Sequence, residues 1–209
     1  MKLLVLGATG RTGQHIVGQA LDAGHDVTVM ARDPAKAPAG RERLRIVDGD
    51  AQNGAALSSA MRGQDAVVSA IGRGQSFKSE RLIERTVPGL IAAMKSDGIK
   101  RLMFMSALGV GDTYRDAPIV AKLFFTTLLR GIYADKLIGD QQIRNSDLDW
   151  TIVQPVVLTD GPLTKNYRSG ESLPLTGMPK VSRADTAHFI VDRLSDSSTI
   201  RKTLIVSAG

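Results

Sequence analysis

The strongest constraint on the fold is a glycine-rich segment that follows the first apolar run of the chain. Residues 2–6 are mostly apolar, and Gly7, Gly10 and Gly13 come directly after them, before a segment of helical period. In such a strand–turn–helix, Gly7 permits a tight turn, Gly10 lets backbone approach a diphosphate, and Gly13 lets helix and strand pack closely. Free N–H groups and the helix dipole favour negative charge at the start of that helix. The segment therefore predicts a dinucleotide-binding turn, made of Gly7, Ala8, Thr9, Gly10, Arg11, Thr12 and Gly13.

The rest of the chain alternates short apolar runs with longer segments of helical period, which is typical of repeated βα units. Right-handed crossovers then predict an α/β fold with a doubly wound parallel sheet (Rossmann fold), in the strand order 3-2-1-4-5-6 with room for a seventh strand. The predicted strands are 2–6, 26–30, 44–47, 66–69, 101–105, 150–154 and 203–206. The predicted helices are 12–22, 54–61, 80–95, 119–130, 134–145 and 184–194, and the predicted loops are 33–40 and 161–179.

Length and composition favour one domain and exclude several classes of function. The 209 residues contain no cysteine, so disulfides, thiolate metal ligands and a cysteine nucleophile are ruled out. The net charge is +6, but the basic residues are dispersed and aromatic residues make up only 4%, so we expect no specific nucleic-acid partner. The N-terminal apolar run is too short for a signal peptide or a membrane span, which favours a cytoplasmic protein without a membrane partner.

Neither a metal site nor a hydrolase is predicted. His15, His25 and His188 are scattered, without the spacing of metal ligands. No serine lies in a G-x-S-x-G turn.

The end of the second predicted strand favours NADP(H) over NAD(H). A site specific for NAD places a carboxylate there to accept from the ribose 2′-hydroxyl. This chain has Arg32 first, and a guanidinium suits a 2′-phosphate. Asp33 follows and leaves two other interpretations open, since it can serve the hydroxyl or cap the turn before Pro34.

Further candidate cofactor contacts follow the third and fourth strands. Asp50 can accept from the adenine amino group, or simply form the turn beside Gly49. Gly72 would let backbone lie against the cofactor, with Arg73 over a phosphate. Arg11 can contact a phosphate or remain a solvated cation of the loop.

Taken together, a set of ordered motifs resembles the atypical short-chain dehydrogenase/reductases, and more closely the small NAD(P)H-binding proteins of the biliverdin reductase B (flavin reductase) and NmrA-like type. The motifs run along nearly the whole chain. They are the segments 7–13, 29–33, 49–50, 63–67, 91–95, 106–107, 148–155 and 181–185.

The resemblance implies a role for each matching position. It implies that the cofactor is lined by Thr9, Gly10, Arg11, Thr12, Arg32, Asp50, Ala51, Ile71, Gly72 and Arg73. It places Ser106 and Ala107 beside the nicotinamide, with Pro155, Val156 and Val157 closing over the far side. Arg183 and Asp185 match a family motif near the end of the chain, where a loop leads into a helix. We interpret this motif as structural, with Ser182 as the helix cap.

The catalytic pair of the wider family is distorted in this chain. Typical members use a Tyr and a Lys four residues later, and the Lys lowers the pKa of the Tyr. Here Tyr133 and Lys136 are three apart, and Leu137 stands at the expected position of the Lys. Residues three apart are still neighbours on a helix, so Tyr133 and Lys136 join Ser106 as candidate catalytic residues. The alternative makes Tyr133 an interfacial aromatic and Lys136 a surface charge.

The resemblance implies an NADPH-dependent oxidoreductase that passes hydride to a planar acceptor, such as a flavin, quinone or tetrapyrrole-like compound. One alternative is a regulatory protein that senses NADP(H) without turnover, and another is an enzyme like the sugar-nucleotide epimerases and dehydratases. We expect a monomer or homodimer, with a small substrate-covering part of the single domain 1–209 near 107–133 and 158–182. The apolar segment 119–130 can be a lid, a partner-binding helix or part of the core.

Overall fold

The computed structural model describes residues 1–72, 80–118, 122 and 129–209. Its strands are β1 (Lys2–Leu6), β2 (Asp26–Ala31), β3 (Leu44–Asp48), β4 (Ala66–Ser69), β5 (Arg101–Met105), β6 (Asp149–Pro155), β7 (Val157–Thr159), β8 (Tyr167–Gly170), β9 (Lys180–Ser182) and β10 (Lys202–Ala208). Its α-helices within that part of the chain are α1 (Arg11–Asp22), α2 (Gly54–Met61), α3 (Leu82–Ser96), α4 (Arg130–Arg144) and α5 (Arg183–Asp192). Short 3-10 turns occur at Pro34–Lys36, Gly111–Tyr114 and Ser197–Thr199.

The main sheet confirms the predicted doubly wound fold. Its eight strands run in the order β3-β2-β1-β4-β5-β6-β10-β8, so the predicted order is followed by a parallel seventh strand, β10. The prediction of an unbroken loop over 161–179 is wrong, because β8 pairs antiparallel with the outer edge of β10. Tyr167 of β8 packs edge-on against Phe189 of α5, at 6.0 Å between ring centroids, which ties this short polar strand to the core.

Two apolar layers flank the sheet. On one face, Ile16 of α1 and Phe189 of α5 are fully covered by the sheet. On the other face, Leu57 of α2 and Leu90 of α3 pack with Ile143 of α4. Strands covered on both faces read as continuous apolar runs, which is why the sequence locates them well.

Helix α4 is held closely against the start of α3. The Asp135 carboxylate accepts from the backbone N–H groups of Ile83 and Glu84, at 3.1 and 2.9 Å, and so caps α3 from a distant part of the chain. A Cβ on Gly139 would lie 2.3 Å from Cγ2 of Ile83, so only glycine allows this approach. The predicted helix over 134–145 begins four residues earlier, at Arg130, and most of the predicted helix over 119–130 lies outside the described residues.

The strand register brings the expected functional loops to one edge of the sheet. Leu6 lies level with Met30 of β2 and with Ser69 of β4, and Met105 of β5 lies level with Val153 of β6. The segments that leave these parallel strands therefore meet at their carboxyl ends, where doubly wound sheets bind ligands. In the described part of the chain, the helices are too short or too polar to cross a lipid bilayer.

Candidate functional site

A cleft of about 520 Å³ runs along the carboxyl ends of the strands, within the size range of small-molecule sites. Most of the predicted cofactor residues line it: Gly7, Thr9, Gly10, Arg11, Thr12, Gly13, Arg32, Asp50, Ala51, Ile71, Gly72, Ser106 and Ala107. Other lining residues were not singled out as cofactor contacts by the sequence, and they include Leu82, Thr86, Met105, Ile132, Lys136, Leu158 and Arg183.

The glycine-rich turn is built so that side chains cannot occupy it. Gly7 has a φ of +78°, and a Cβ there would lie 2.6 Å from the backbone of Ala70. A Cβ on Gly13 would lie 2.1 Å from the carbonyl oxygen of Gly7. Gly10 donates to Gly7 at 3.0 Å, and as the N-cap of α1 it offers no side-chain acceptor to the first turn. The first turn contains no acidic residue, so its N–H groups and dipole face the cleft without a competing carboxylate from within the turn.

The strand-end cation Arg32 faces the cleft, whereas its neighbour Asp33 does not line it. Asp33 pairs with Lys36 at 2.8 Å, and this ammonium lowers the pKa of the carboxyl. Within the described chain, Arg32 makes no ion pair or side-chain hydrogen bond. Asp50 accepts from the backbone N–H of Gln52 at 3.0 Å, so its carboxylate forms the local turn as well as lining the cleft.

The other end of the cleft carries Ser106 and Lys136 but not Tyr133. The Tyr133 hydroxyl donates to the carbonyl oxygen of Leu108 at 3.0 Å, and burial raises the pKa of this tyrosine. A raised pKa is the opposite of what an acid–base tyrosine needs. Lys136 lines the cleft, and burial lowers the pKa of its ammonium against the opposing effect of Asp140 and Asp135.

A buried polar network supports Ser106 from beneath. The hydroxyl donates to Oδ2 of Asp140 at 2.9 Å, and Nε2 of Gln154 donates to the same oxygen at 3.2 Å. Asp140 is 1% exposed, and burial raises its pKa to about 6 against the lowering effects of Lys136, Ser106 and Gln154. Sequence reasoning missed Asp140. Its one signal is the four-residue spacing from Lys136, and that spacing is far more common in surface ion pairs.

Two arginines converge on Asp160 at the mouth of the cleft. Arg183 donates from Nη1 to Oδ1 of Asp160 at 2.7 Å, and Arg11 pairs with Oδ2 of the same carboxylate. The arginines begin two helices, α1 and α5, that pack on the same face of the sheet. The hydroxyl of Ser182 accepts from the N–H of Asp185 at 2.8 Å, which confirms it as the cap of α5. The structural interpretation of Arg183 is incomplete, because its side chain also lines the cleft.

The remaining predicted site residues lie elsewhere. Val156 is buried in the core and Val157 is exposed, while the adjacent Leu158 forms this part of the cleft wall. Pro155 ends β6 and does not line the cleft. Arg73 lies outside the described residues.

Comparison with known proteins places the chain among nicotinamide-nucleotide-binding proteins. The NAD(P)H-binding family matches residues 7–197. The photosystem II assembly factor Ycf39 of Synechocystis is 29% identical over 97% of this chain and 61% of its own length. The (4-alkanoyl-5-oxo-2,5-dihydrofuran-3-yl)methyl phosphate reductase of Streptomyces griseus is 29% identical over 73% of this chain and 46% of its own length. The chain thus spans less than two thirds of the length of these two relatives.

A solved structure shows the same architecture with a nucleotide bound. A short-chain dehydrogenase/reductase from Veillonella parvula, crystallised in complex with NADP, superposes with a TM-score of 0.84 at 20% identity, over 98% of this chain and 93% of the other. At this identity the likeness concerns the fold, while the family match concerns the sequence itself. The chain therefore belongs to the NAD(P)H-binding family, and it carries a Rossmann fold.

Proposed function

We propose that the protein is an NADPH-dependent reductase that transfers hydride to a small planar acceptor, such as a flavin, a quinone or a tetrapyrrole-like compound. The observation that carries the proposal is one continuous cleft with two different ends. The glycine turn and Arg32 lie at one end, and Ser106 and Lys136 lie at the other among the apolar side chains of Met105, Ile132 and Leu158.

The first end fits the adenosine and diphosphate parts of NADPH. The Gly7 and Gly13 positions exclude a Cβ, so backbone N–H groups at the start of α1 can contact a diphosphate directly. Arg32 has no protein partner in the described chain and presents a guanidinium where a 2′-phosphate would lie. Asp33, the carboxylate that would serve NAD(H), is paired with Lys36.

The second end fits hydride transfer to an apolar ring system. NADPH supplies the hydride, and a two-electron acceptor needs one proton in addition. Lys136 faces the cleft with a lowered pKa, so its ammonium can donate that proton and take another from solvent. The apolar walls hold the acceptor against the reacting ring, so that proximity and exclusion of water supply much of the rate enhancement. The Streptomyces relative is named as a reductase, which supports this chemistry for the present chain.

A turnover assay with matched variants tests the proposal. Purified protein is given NADPH with FMN or a small quinone, and the loss of NADPH absorbance is followed. We expect turnover that Lys136→Met reduces by about a hundredfold, since a general acid contributes about that much. Lys95→Met is the control, because Lys95 pairs with Asp147 at the surface, away from the cleft.

Two outcomes contradict the proposal in different ways. Tight binding of NADPH without turnover of any acceptor would contradict the reductase assignment and support a sensor of NADP(H) instead. Absence of binding of either pyridine nucleotide would remove the assignment of the cleft altogether.

A further inference from the structure

The carboxyl group of Asp140 lies beneath Ser106, at the end of the cleft that fits the nicotinamide. Ser106 lines the cleft, whereas Asp140 does not line it and is 1% exposed. The 2.9 Å hydrogen bond from Oγ of Ser106 to Oδ2 of Asp140 crosses from the surface of the cleft to the interior. A hydroxyl has one proton to donate. Because that proton is directed at Asp140, Ser106 presents only lone pairs to the cleft.

The groups around Gln154 support Oδ2 of Asp140 as a hydrogen-bond acceptor. Nε2 of Gln154 donates to the backbone carbonyl of Val110 at 3.1 Å, and a carbonyl can only accept. The amide nitrogen is thereby identified, and it also donates to Oδ2 of Asp140. Oε1 of Gln154 is bonded to the hydroxyl of Thr113 on its other side. Oδ2 of Asp140 therefore receives two donors. Gln154 cannot reverse without breaking its bond to Val110, and the Ser106 hydroxyl donates because the oxygen of an ionised carboxylate has no proton to give.

We propose that Asp140 is a positioning residue that holds the Ser106 hydroxyl as a hydrogen-bond acceptor for the N–H of the nicotinamide carboxamide. The proposal rests on the proposed function only in requiring that the dinucleotide occupies the cleft. It selects between two possible partners of Ser106, the carboxamide and a carbonyl oxygen of the acceptor. A carbonyl oxygen offers no proton, so an acceptor-only Ser106 cannot bind it.

The fixed carboxamide has a consequence for the reaction. The carboxamide is conjugated with the pyridine ring, so a hydrogen bond to its N–H restrains the rotation of the ring about its bond to ribose. The ring then presents one face to the apolar part of the cleft beside Met105 and Ile132. Asp140 acts on this geometry through Ser106 and touches no reacting atom.

A binding experiment with three nucleotides tests the proposal without any turnover. The ligands are NADP⁺, its 3-acetylpyridine analogue, which keeps the carbonyl but replaces the amide nitrogen by a methyl group, and 2′,5′-ADP, which lacks the nicotinamide. The wild-type protein should prefer NADP⁺ over the analogue by about fivefold, the size of one neutral hydrogen bond. Ser106→Ala should abolish this preference, while the affinity for 2′,5′-ADP should be unchanged in every variant.

A pair of substitutions that keep the branched shape of the side chain isolates the role of Asp140. Asp140→Asn should keep the preference, because the amide oxygen can take the place of Oδ2 and accept from Ser106 and Gln154. Asp140→Leu should lose the preference as Ser106→Ala does, because no acceptor remains beneath the hydroxyl. Asp140→Ala gives the same test if the leucine variant does not fold.

The outcomes separate this proposal from the proposed function. It is overturned if the wild-type protein binds NADP⁺ and the analogue equally, or if Asp140→Leu or Asp140→Ala keeps the preference. It is also overturned if these variants weaken 2′,5′-ADP as strongly as NADP⁺, because a general structural role would then explain the loss. If none of the three ligands binds to the wild-type protein, the proposed function fails as well.

Discussion

The guanidinium of Arg183 and the carboxylate of Asp160 are joined by a 2.7 Å hydrogen bond at the mouth of the cleft. Arg11 pairs with the other oxygen of the same carboxylate. Asp160 thus forms ion pairs with two arginines that begin adjacent helices. The same two arginines would also attract the diphosphate of a dinucleotide.

Removing the charge of Asp160 should strengthen binding of NADPH. Asp160→Asn keeps the shape of the residue, but it no longer competes with the diphosphate for Arg11 and Arg183. Because an exposed ion pair contributes little free energy, we expect the affinity for NADPH to rise by about threefold. Titration of NADPH fluorescence measures the change. Asp22→Asn is the control, because Asp22 pairs with Arg41 near the far end of α1 and should have no effect. Weaker binding by Asp160→Asn would mean that the carboxylate orients the arginines rather than competing for them.

Arg32 should determine the preference between the two pyridine nucleotides. Arg32→Ala is expected to weaken NADPH by about tenfold and NADH by much less, because only NADPH carries the 2′-phosphate and a charge-assisted contact is worth about this much. The dissociation constants of both nucleotides give the result directly. Arg62→Ala removes an exposed arginine that does not line the cleft and should change neither constant. Equal losses for both nucleotides would contradict a role in phosphate recognition.

Gly13 and Gly18 lie on the same helix and should respond in opposite ways to alanine. At Gly13 the new Cβ would lie 2.1 Å from the carbonyl oxygen of Gly7, so Gly13→Ala should displace the turn and abolish nucleotide binding. At Gly18 no atom lies within 4 Å of the new Cβ, so Gly18→Ala should stabilise the fold by up to about 1 kcal/mol. Thermal unfolding and nucleotide titration of both variants make the comparison, and intact binding in Gly13→Ala would show that the turn can shift.

Tyr133 should be dispensable for proton transfer. The hydroxyl of Tyr133 donates to the Leu108 carbonyl, and burial raises the pKa of the tyrosine. Tyr133→Phe should therefore change turnover by no more than about threefold. Loss of a general acid that takes part in the reaction would lower turnover by about a hundredfold or more. Tyr114→Phe, at an exposed tyrosine, is the matched control. A loss near a hundredfold confined to Tyr133→Phe would restore the tyrosine mechanism.

The ionised carboxylate of Asp140 should reduce the stability of the fold at neutral and alkaline pH. Burial raises its pKa from 3.8 to about 6, so the folded state binds this proton more tightly than the unfolded state does. Stability therefore falls as the pH rises through this interval, and the cost above it is at most about 3 kcal/mol. Asp140→Asn should be more stable than the wild type at about pH 8 and nearly equal to it at about pH 4. Denaturant unfolding at the two pH values checks the sign, and a variant that is less stable at pH 8 would contradict it.

The sequence predicts the parts of this protein that depend on neighbouring residues. The glycine turn, the parallel strands and the strand-end residues such as Arg32 follow from short patterns with a local physical cause. Strand β8 was missed because Tyr167–Gly170 is short and largely polar, and only its pairing with β10 makes it a strand.

The missed features of the site depend on contacts between distant segments. Ser106 and Asp140 are 34 positions apart, and Asp160 and Arg183 are 23 positions apart. No periodicity in the sequence indicates which polar side chains meet across such separations. Gly139 lets α4 approach α3 closely, and the next residue of the same helix, Asp140, lies beneath Ser106.

The cleft draws its two ends from different parts of the chain. Residues up to Ala51 supply the glycine turn and the end near Arg32, whereas residues from Met105 to Arg183 supply the walls around Ser106. Under the proposed function, substitutions in the later half can therefore alter which acceptors bind while the contacts to NADPH are preserved. Under the same proposal, a lineage with this layout can acquire new acceptors by gradual change in one region, without passing through a form that has lost the nucleotide that supplies its hydride.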